Sequence, residues 1–284
     1  MANKKEVICS GLNGFVGSSL KEYFQDEINF YDFNKDYEKI TQKTKKYDAF
    51  INLATSIYPS TDAVTSNIIL KDIKDNINFY DFYKNNHIDK FIFVSSAGAM
   101  GTLSFKNSLY LKSFYANNKF FLENIFRLSQ KSEGLYILRC TNIYGSKQIH
   151  KKNHGLIPQI IKCIKNNDLI NIWGDGEIHK NFIYIDDFSK LIRKILDCKG
   201  NKQGTYNVGY TKSYTINDLL MLFQEALGTN LNIKYLKQKT TDNSMPNIDI
   251  SYVRESFNWT PEISLEEGIK RIYDKEGIKS IYDK

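Results

Sequence analysis

The segment from Glu6 to Phe24 constrains the fold more than any other part of the chain. A short apolar run, Glu6-Val-Ile-Cys-Ser10, ends in three glycines spaced by three, Gly11-Leu-Asn-Gly14-Phe-Val-Gly17, and Ser18-Ser-Leu-Lys-Glu-Tyr-Phe24 follows with helical character. Strand, glycine turn and helix in this order let the backbone approach a pyrophosphate, whose charge the helix N-terminus then favours. The same alternation continues. Ile28-Asn-Phe-Tyr-Asp-Phe33 reads as a second strand, residues 36–46 as a polar helical stretch, and Asp48-Ala-Phe-Ile-Asn-Leu-Ala54 as a third strand. Residues 66–86 have helical periodicity, with Ile69, Ile73, Ile77 and Tyr80 on one face, and Lys90-Phe-Ile-Phe-Val-Ser-Ser96 is a further strand. A helix bearing Tyr115 and a strand at Leu135–Cys140 follow. Strands alternating with helices predict an α/β fold with a parallel, right-handed sheet.

Beyond about residue 145 the elements become shorter and more mixed: a turn at Gly174-Asp-Gly176, a strand at Phe182-Ile-Tyr-Ile185, and a helix from Thr215 to Leu227 closed by Gly228. Residues 1–150 are therefore expected to form the sheet domain. Residues 151–284 are expected to form mainly a smaller lobe, with some chain crossing back to the sheet. At 284 residues the chain can bury a full core without disulfides, and its four cysteines are scattered with no C-x-x-C spacing. No metal site is expected, and a reduced, cytoplasmic setting is. The N-terminal apolar run is too short for a membrane span. The formal net charge is +7, but the lysines are spread along the whole chain without a basic-aromatic stripe. Nucleic acid is thus not an expected partner, whereas an anionic small molecule suits the charge.

A phenol and an amine four residues apart share one helix face and can act as a single acid/base unit. The chain has four such pairs, beginning at Tyr31, Tyr80, Tyr115 and Tyr235. Tyr31 falls in a strand, Tyr80 in the helix before the serine strand, and Tyr235 far downstream. Only Tyr115-Ala-Asn-Asn-Lys119 follows a strand-end hydroxyl, Ser95-Ser96, on the sheet edge where open α/β folds bind ligands.

These residues resemble the extended short-chain dehydrogenase/reductases, the NAD-dependent epimerase/dehydratase family that modifies nucleotide sugars. The resemblance covers nearly the whole chain. It rests on Gly11/Gly14/Gly17, Asn52-Leu-Ala54, Ser95-Ser96, Tyr115-x-x-x-Lys119 with Glu123, and Arg139-Cys-Thr-Asn142-Ile-Tyr-Gly145. Further along it rests on Gly174-Asp-Gly176, Phe182-Ile-Tyr-Ile-Asp-Asp187, Asn207-Val-Gly209 and Trp259-Thr-Pro261 with Ser264-Leu-Glu-Glu-Gly268. It implies a Rossmann-like, doubly wound parallel sheet with a C-terminal substrate lobe, and a homodimer pairing the helices at 66–86 and 114–130, whose apolar stripes could equally face the sheet. The implied cofactor contacts are Gly11, Asn13, Gly14, Phe15, Val16, Gly17, Asp32, Leu53, Ala54 and Lys119. Tyr115 would exchange a proton with a sugar hydroxyl or carbonyl, Lys119 would favour the phenolate and hold the nicotinamide ribose, and Ser96 would hydrogen-bond the reacting oxygen. Asn142 and Lys180 would meet the nucleotide diphosphate of the substrate.

Asp32 at a strand end suits ribose hydroxyls and repels a 2′-phosphate, which favours NAD, while Lys35 suits the phosphate and leaves NADP open. Departures from the family pattern narrow the reaction. Ser96-Ala-Gly-Ala-Met-Gly101 lacks the acidic pair of the dehydratases, which argues against dehydration. Lys180-Asn181-Phe182 replaces the common Arg-Asp-Phe, and a lysine cannot form a bidentate fork on phosphate. His154 stands before Leu156-Ile-Pro158, as a substrate-loop residue or as a solvated surface one. Only fifteen residues separate Asp32 from Asp48, too few for the usual third strand and helix. The expected activity is epimerisation or ketoreduction at a sugar carbon, C4 first. The alternative is a non-catalytic dinucleotide sensor or scaffold on the same fold.

Overall fold

The computed structural model describes residues 4–41, 45–57, 64–103, 109–111, 113–129, 133–148, 155–200, 202–228, 230–237, 244–245 and 247–276. Its elements run β1 (Lys5–Ser10), α1 (Phe15–Phe24), β2 (Ile28–Asp32), α2 (Tyr37–Ile40), β3 (Tyr47–Asn52), α3 (Ser66–Asn85), β4 (Ile88–Ser96), β5 (Thr102–Leu103), β6 (Leu109–Tyr110), α4 (Phe114–Leu128) and β7 (Leu135–Cys140). They continue with β8 (Asn142–Tyr144), α5 (Leu156–Asn166), β9 (Ile170–Trp173), β10 (His179–Tyr184), α6 (Ile185–Asp197), β11 (Gly204–Val208), β12 (Ser213–Thr215), α7 (Ile216–Leu227), β13 (Ile233–Leu236), α8 (Ser251–Phe257) and α9 (Leu265–Glu276). The chain divides into two units: 1–140 with 189–208 and 251–259, and 141–188 with 209–250 and 260–284.

The first unit holds a six-stranded sheet in the order β11-β7-β4-β3-β1-β2, every pair parallel. Central strands that are buried on both faces carry apolar middles, as in Val7-Ile-Cys9 of β1, Ala49-Phe-Ile51 of β3, Phe91-Ile-Phe-Val94 of β4 and Leu135-Tyr-Ile-Leu138 of β7, with the polar residues toward the strand ends. Strand order reverses at β1, which has β2 on one side and β3 on the other; the carboxyl edge at such a reversal is where open α/β sheets bind ligands. No strand lies outside β2 among the described residues, in keeping with the short Asp32–Asp48 spacing. The polar helix expected over 36–46 is a single turn, Tyr37–Ile40, because so short a crossover leaves length for no more.

Rings fill the space between the sheet and α3 and α4. Phe50, Phe79, Tyr80, Tyr83, Phe91, Phe93 and Phe126 are buried together, with Tyr80 and Phe126 stacked at a centroid distance of 4.6 Å. The buried face of α3 coincides only in part with the apolar stripe of the sequence. Asp72, Asn76, Phe79, Tyr80 and Tyr83 are buried, whereas Ile69, Ile73 and Ile77 are only half-buried. Hydrogen bonding inside the unit, rather than hydrophobicity, places Asp72 and Asn76 there. The α4 helix starts at Ser113, whose hydroxyl accepts from Ala116 N at 3.1 Å, and it buries Lys119, Leu122, Glu123 and Phe126.

In the second unit β10 pairs with β8 in parallel and with β12 antiparallel, and β9 pairs with β13 in parallel. Thr215 and Asp218 form a capping box on α7, and Gly228 ends it in the left-handed region at φ 63°, as the sequence implies.

Candidate functional site

The nucleotide end is made of backbone. Gly11 turns the chain at φ 77°, and Gly14 N donates to Gly11 O at 2.9 Å. A Cβ on Gly17 would lie 2.5 Å from Gly11 O and 2.6 Å from Leu12 Cα, so only glycine lets α1 start this close to the turn. A Cβ on Gly11 would meet the main chain of Leu53 and Ala54 at 3.3 Å, which sets the turn against the end of β3. Gly14 provides no side-chain cap to α1, leaving the N–H groups around Phe15 and Val16 to an anion. Asp32 ends β2 beside this turn. Its Oδ1 accepts from Asn34 N and Lys35 N at 3.1 and 3.2 Å, and its Oδ2 accepts from Asn13 Nδ2 at 2.9 Å. Lone-pair capacity remains on Oδ2, so the carboxylate is held in place and still able to accept from a hydroxyl. These residues fit a dinucleotide: a cradle that a Cβ would fill, a helix N-terminus and a fixed acid.

The chemical end is made of side chains. Ser96 ends β4, and its Oγ accepts from Gly98 N at 3.1 Å, capping a short 3₁₀ turn over Ala97–Met100. The cap uses a lone pair and leaves the O–H able to donate. A Cβ on Gly98 would lie 3.3 Å from Ser96 Oγ and 3.5 Å from Ala116 Cβ; the bare glycine brings the serine edge against the first turn of α4. Tyr115 in that turn is half-buried, and Lys119 Nζ stands 5.9 Å from its ring centroid. Lys119 is 2 % exposed; its ammonium donates to Val94 O at 3.1 Å and lies over the Phe93 ring. Burial pushes this amine down to about 8, against opposing pulls from Asp72, Cys140 and Glu123. One turn on, buried Glu123 accepts from Ser95 Oγ at 2.6 Å and from Arg127 and Arg139 at 2.6–3.1 Å, tying β4, α4 and β7 together behind the serine edge.

Sequence reasoning missed a buried polar chain joining the two ends. Ser10 Oγ donates to Asn52 Oδ1 (2.7 Å), Asn52 Nδ2 to Asn76 Oδ1 (2.8 Å), and Asn76 Nδ2 to the Asp72 main-chain carbonyl (2.7 Å) and Oδ2 (3.3 Å). Asn118 Nδ2 donates to Asp72 Oδ2 at 2.7 Å, and Ser56 N to Asp72 Oδ1. The signal available in the sequence was two polar residues, Asp72 and Asn76, in register with Phe79 and Tyr83 on α3.

In the second unit Asn142 is exposed, and its Nδ2 donates to Asn181 O at 2.8 Å. Asn181 is fully buried: its amide nitrogen donates to Tyr210 O, Lys212 O and Ser213 Oγ, and its Oδ1 accepts from Tyr210 N. An aspartate here would offer no N–H to those acceptors, which accounts for the amide at this departure from the family pattern. Lys180 is half-buried on β10 beside it. His154 lies outside the described residues. No cluster that could hold a metal occurs among the described residues, and no helix there is long and apolar enough to cross a membrane.

Residues 7–209 match the model of the NAD dependent epimerase/dehydratase family. A provisionally named UDP-glucose 4-epimerase of Methanocaldococcus jannaschii is 30 % identical over 91 % of this chain and 82 % of its own length. A dTDP-4-dehydro-6-deoxyglucose reductase of Escherichia coli is 27 % identical over 89 % and 83 %. Among solved structures, the UDP-N-acetylglucosamine 4-epimerase of Methanobrevibacter ruminantium, in complex with UDP-N-acetylmuramic acid, superposes with a TM-score of 0.80 at 25 % identity, over 96 % of this chain and 99 % of that one. With this turn, this serine edge and these matches, the chain belongs to the NAD-dependent epimerase/dehydratase family of extended short-chain dehydrogenase/reductases.

Proposed function

We propose that the chain is an NAD-dependent nucleotide-sugar epimerase or ketoreductase acting at a ring carbon, C4, with Tyr115 as its general acid/base. The observation that carries this reading is the pair on α4, a half-buried phenol with a buried amine one turn below it, set against the Ser96 edge. Bound NAD supplies the hydride acceptor and donor at the sugar carbon. In the oxidative direction Tyr115 takes the proton of the sugar hydroxyl, and in the reductive direction it returns a proton to the carbonyl oxygen. Ser96 donates its O–H to that same oxygen. The Lys119 ammonium favours the phenolate electrostatically, and burial strengthens the effect. Gly11, Asn13, Gly14, Phe15, Val16, Gly17, Asp32, Leu53 and Ala54 hold the dinucleotide, with Asp32 favouring NAD over NADP. Asn142 and Lys180 contact the substrate diphosphate, and the second unit is the substrate lobe.

The relatives' names include both an epimerase and a reductase, which supports the class and leaves two reactions. The acid-free loop from Ser96 to Gly101 favours these over dehydration. We place the protein in the cytoplasm as a homodimer paired through α3 and α4. Phe114, Phe121 and Leu128 stand seven residues apart on α4 with 64, 47 and 86 % of their surface exposed, and Leu70 on α3 is 63 % exposed. Screening UDP-, GDP-, dTDP- and CDP-sugars with NAD(H) and NADP(H) tests the reading. Isomerisation with NAD retained identifies the epimerase, stoichiometric consumption of reduced cofactor identifies the reductase, and no turnover across a broad panel contradicts both.

A further inference from the structure

We infer that Asp72, the buried carboxylate on α3, is a positioning residue that keeps Lys119 in its charged form across the interface of α3 and α4. This deepens the proposed role of Tyr115 and Lys119 and rests on it. Asp72 is 1 % exposed and Lys119 2 %, and among the described residues neither sits in a direct ion pair. The partners of Asp72 are neutral donors: Ser56 N on Oδ1, and the amides of Asn76 and Asn118 on Oδ2. Lys119, the residue after Asn118, has the neutral Val94 carbonyl at 3.1 Å and the Phe93 ring at 4.7 Å. Isolated buried charges of either sign are strongly disfavoured, and each becomes tolerable when the other is near.

The groups that face Lys119 can be sorted by charge. Tyr115 is its partner on α4. Glu123, also on α4, is already met by Arg127 and Arg139. The Cys140 thiol on β7 is pushed far up by burial and stays protonated. Phe93 and Val94 of β4 carry no charge. The carboxylate left without a cation of its own is Asp72, and its pull on Lys119 opposes the effect of burial. Charge, rather than the shape of an acceptor for Asn118, is then what position 72 supplies.

The two roles separate in a titration of the intact chain labelled with ¹³Cε-lysine, the Lys119 signal being assigned with Lys119→Arg. The wild-type midpoint is expected near pH 8. Asp72→Asn keeps the shape and removes the charge; it should lower the midpoint by about one pH unit or more, an about tenfold loss of charged Lys119 on the alkaline side. Asp72→Glu keeps the charge and should hold the midpoint near that of the wild type. An unchanged midpoint in Asp72→Asn overturns the inference. If that variant fails to fold, Asp72→Glu decides: a retained midpoint supports the inference and a lowered one overturns it. No sugar is needed, so a failed titration leaves the reaction standing, and a substrate panel without turnover leaves the titration intact.

Discussion

The two ends of the first unit are built from different materials. At the proposed nucleotide end the groups offered to a ligand are main-chain N–H groups held by glycines, with Asp32 pinned by Asn13, Asn34 N and Lys35 N. At the chemical end they are side chains whose charge states depend on burial, with Lys119 and Glu123 almost without exposed surface. A backbone site fails through sterics, and a side-chain site fails through charge or a missing proton. The nucleotide end should therefore be sensitive to volume and indifferent to pH, and the chemical end should be the reverse.

The largest effect expected at the chemical end is that of Tyr115→Phe, which removes one oxygen and leaves the ring packed. Turnover of any sugar accepted by the wild type should fall about 10²- to 10⁴-fold, with NAD binding unchanged by fluorescence titration. At the nucleotide end Gly17→Ala sets a methyl group against backbone. It should destabilise the fold by about 1–3 kcal/mol in urea and weaken NAD binding about tenfold or more by calorimetry, at every pH.

Lys119→Met sharpens the contrast because it should change how stability depends on pH. The folded-state value of this lysine, about 8, lies below the 10.5 of an exposed one. The unfolded chain therefore binds the extra proton, and stability rises as pH climbs from about 8 to 10.5. Below that window the full cost of burying the charge is present, about 3 kcal/mol. Lys119→Met should lose the alkaline rise in denaturant midpoint and lose turnover. Asp32→Ala gives the smallest effect, about 1 kcal/mol, read as a lowered preference for NAD over NADP in Kd ratios.

The legibility of the two ends in the sequence followed the same division. Three glycines between a strand and a helix mark a turn by local geometry alone, so Gly11, Gly14 and Gly17 were readable without tertiary information. Tyr115 and Lys119 were readable once Ser96 was placed on a strand end. Asp72, Asn76 and Asn118 were not. Hydrophobic periodicity assigns polar residues to solvent, whereas these three are buried because they satisfy one another across α3 and α4. Residues 36–46 were overextended as a helix because composition does not show how short a crossover the sheet edge requires.

The measurement that tests the central claim most directly is a reaction run in D₂O with an accepted nucleotide sugar, followed by NMR of the product. Hydride transfer at carbon, with Tyr115 handling only the proton on oxygen, predicts no solvent deuterium on the reacting ring carbon. Solvent deuterium at that carbon would mean that the carbon itself is deprotonated and reprotonated, which contradicts the account.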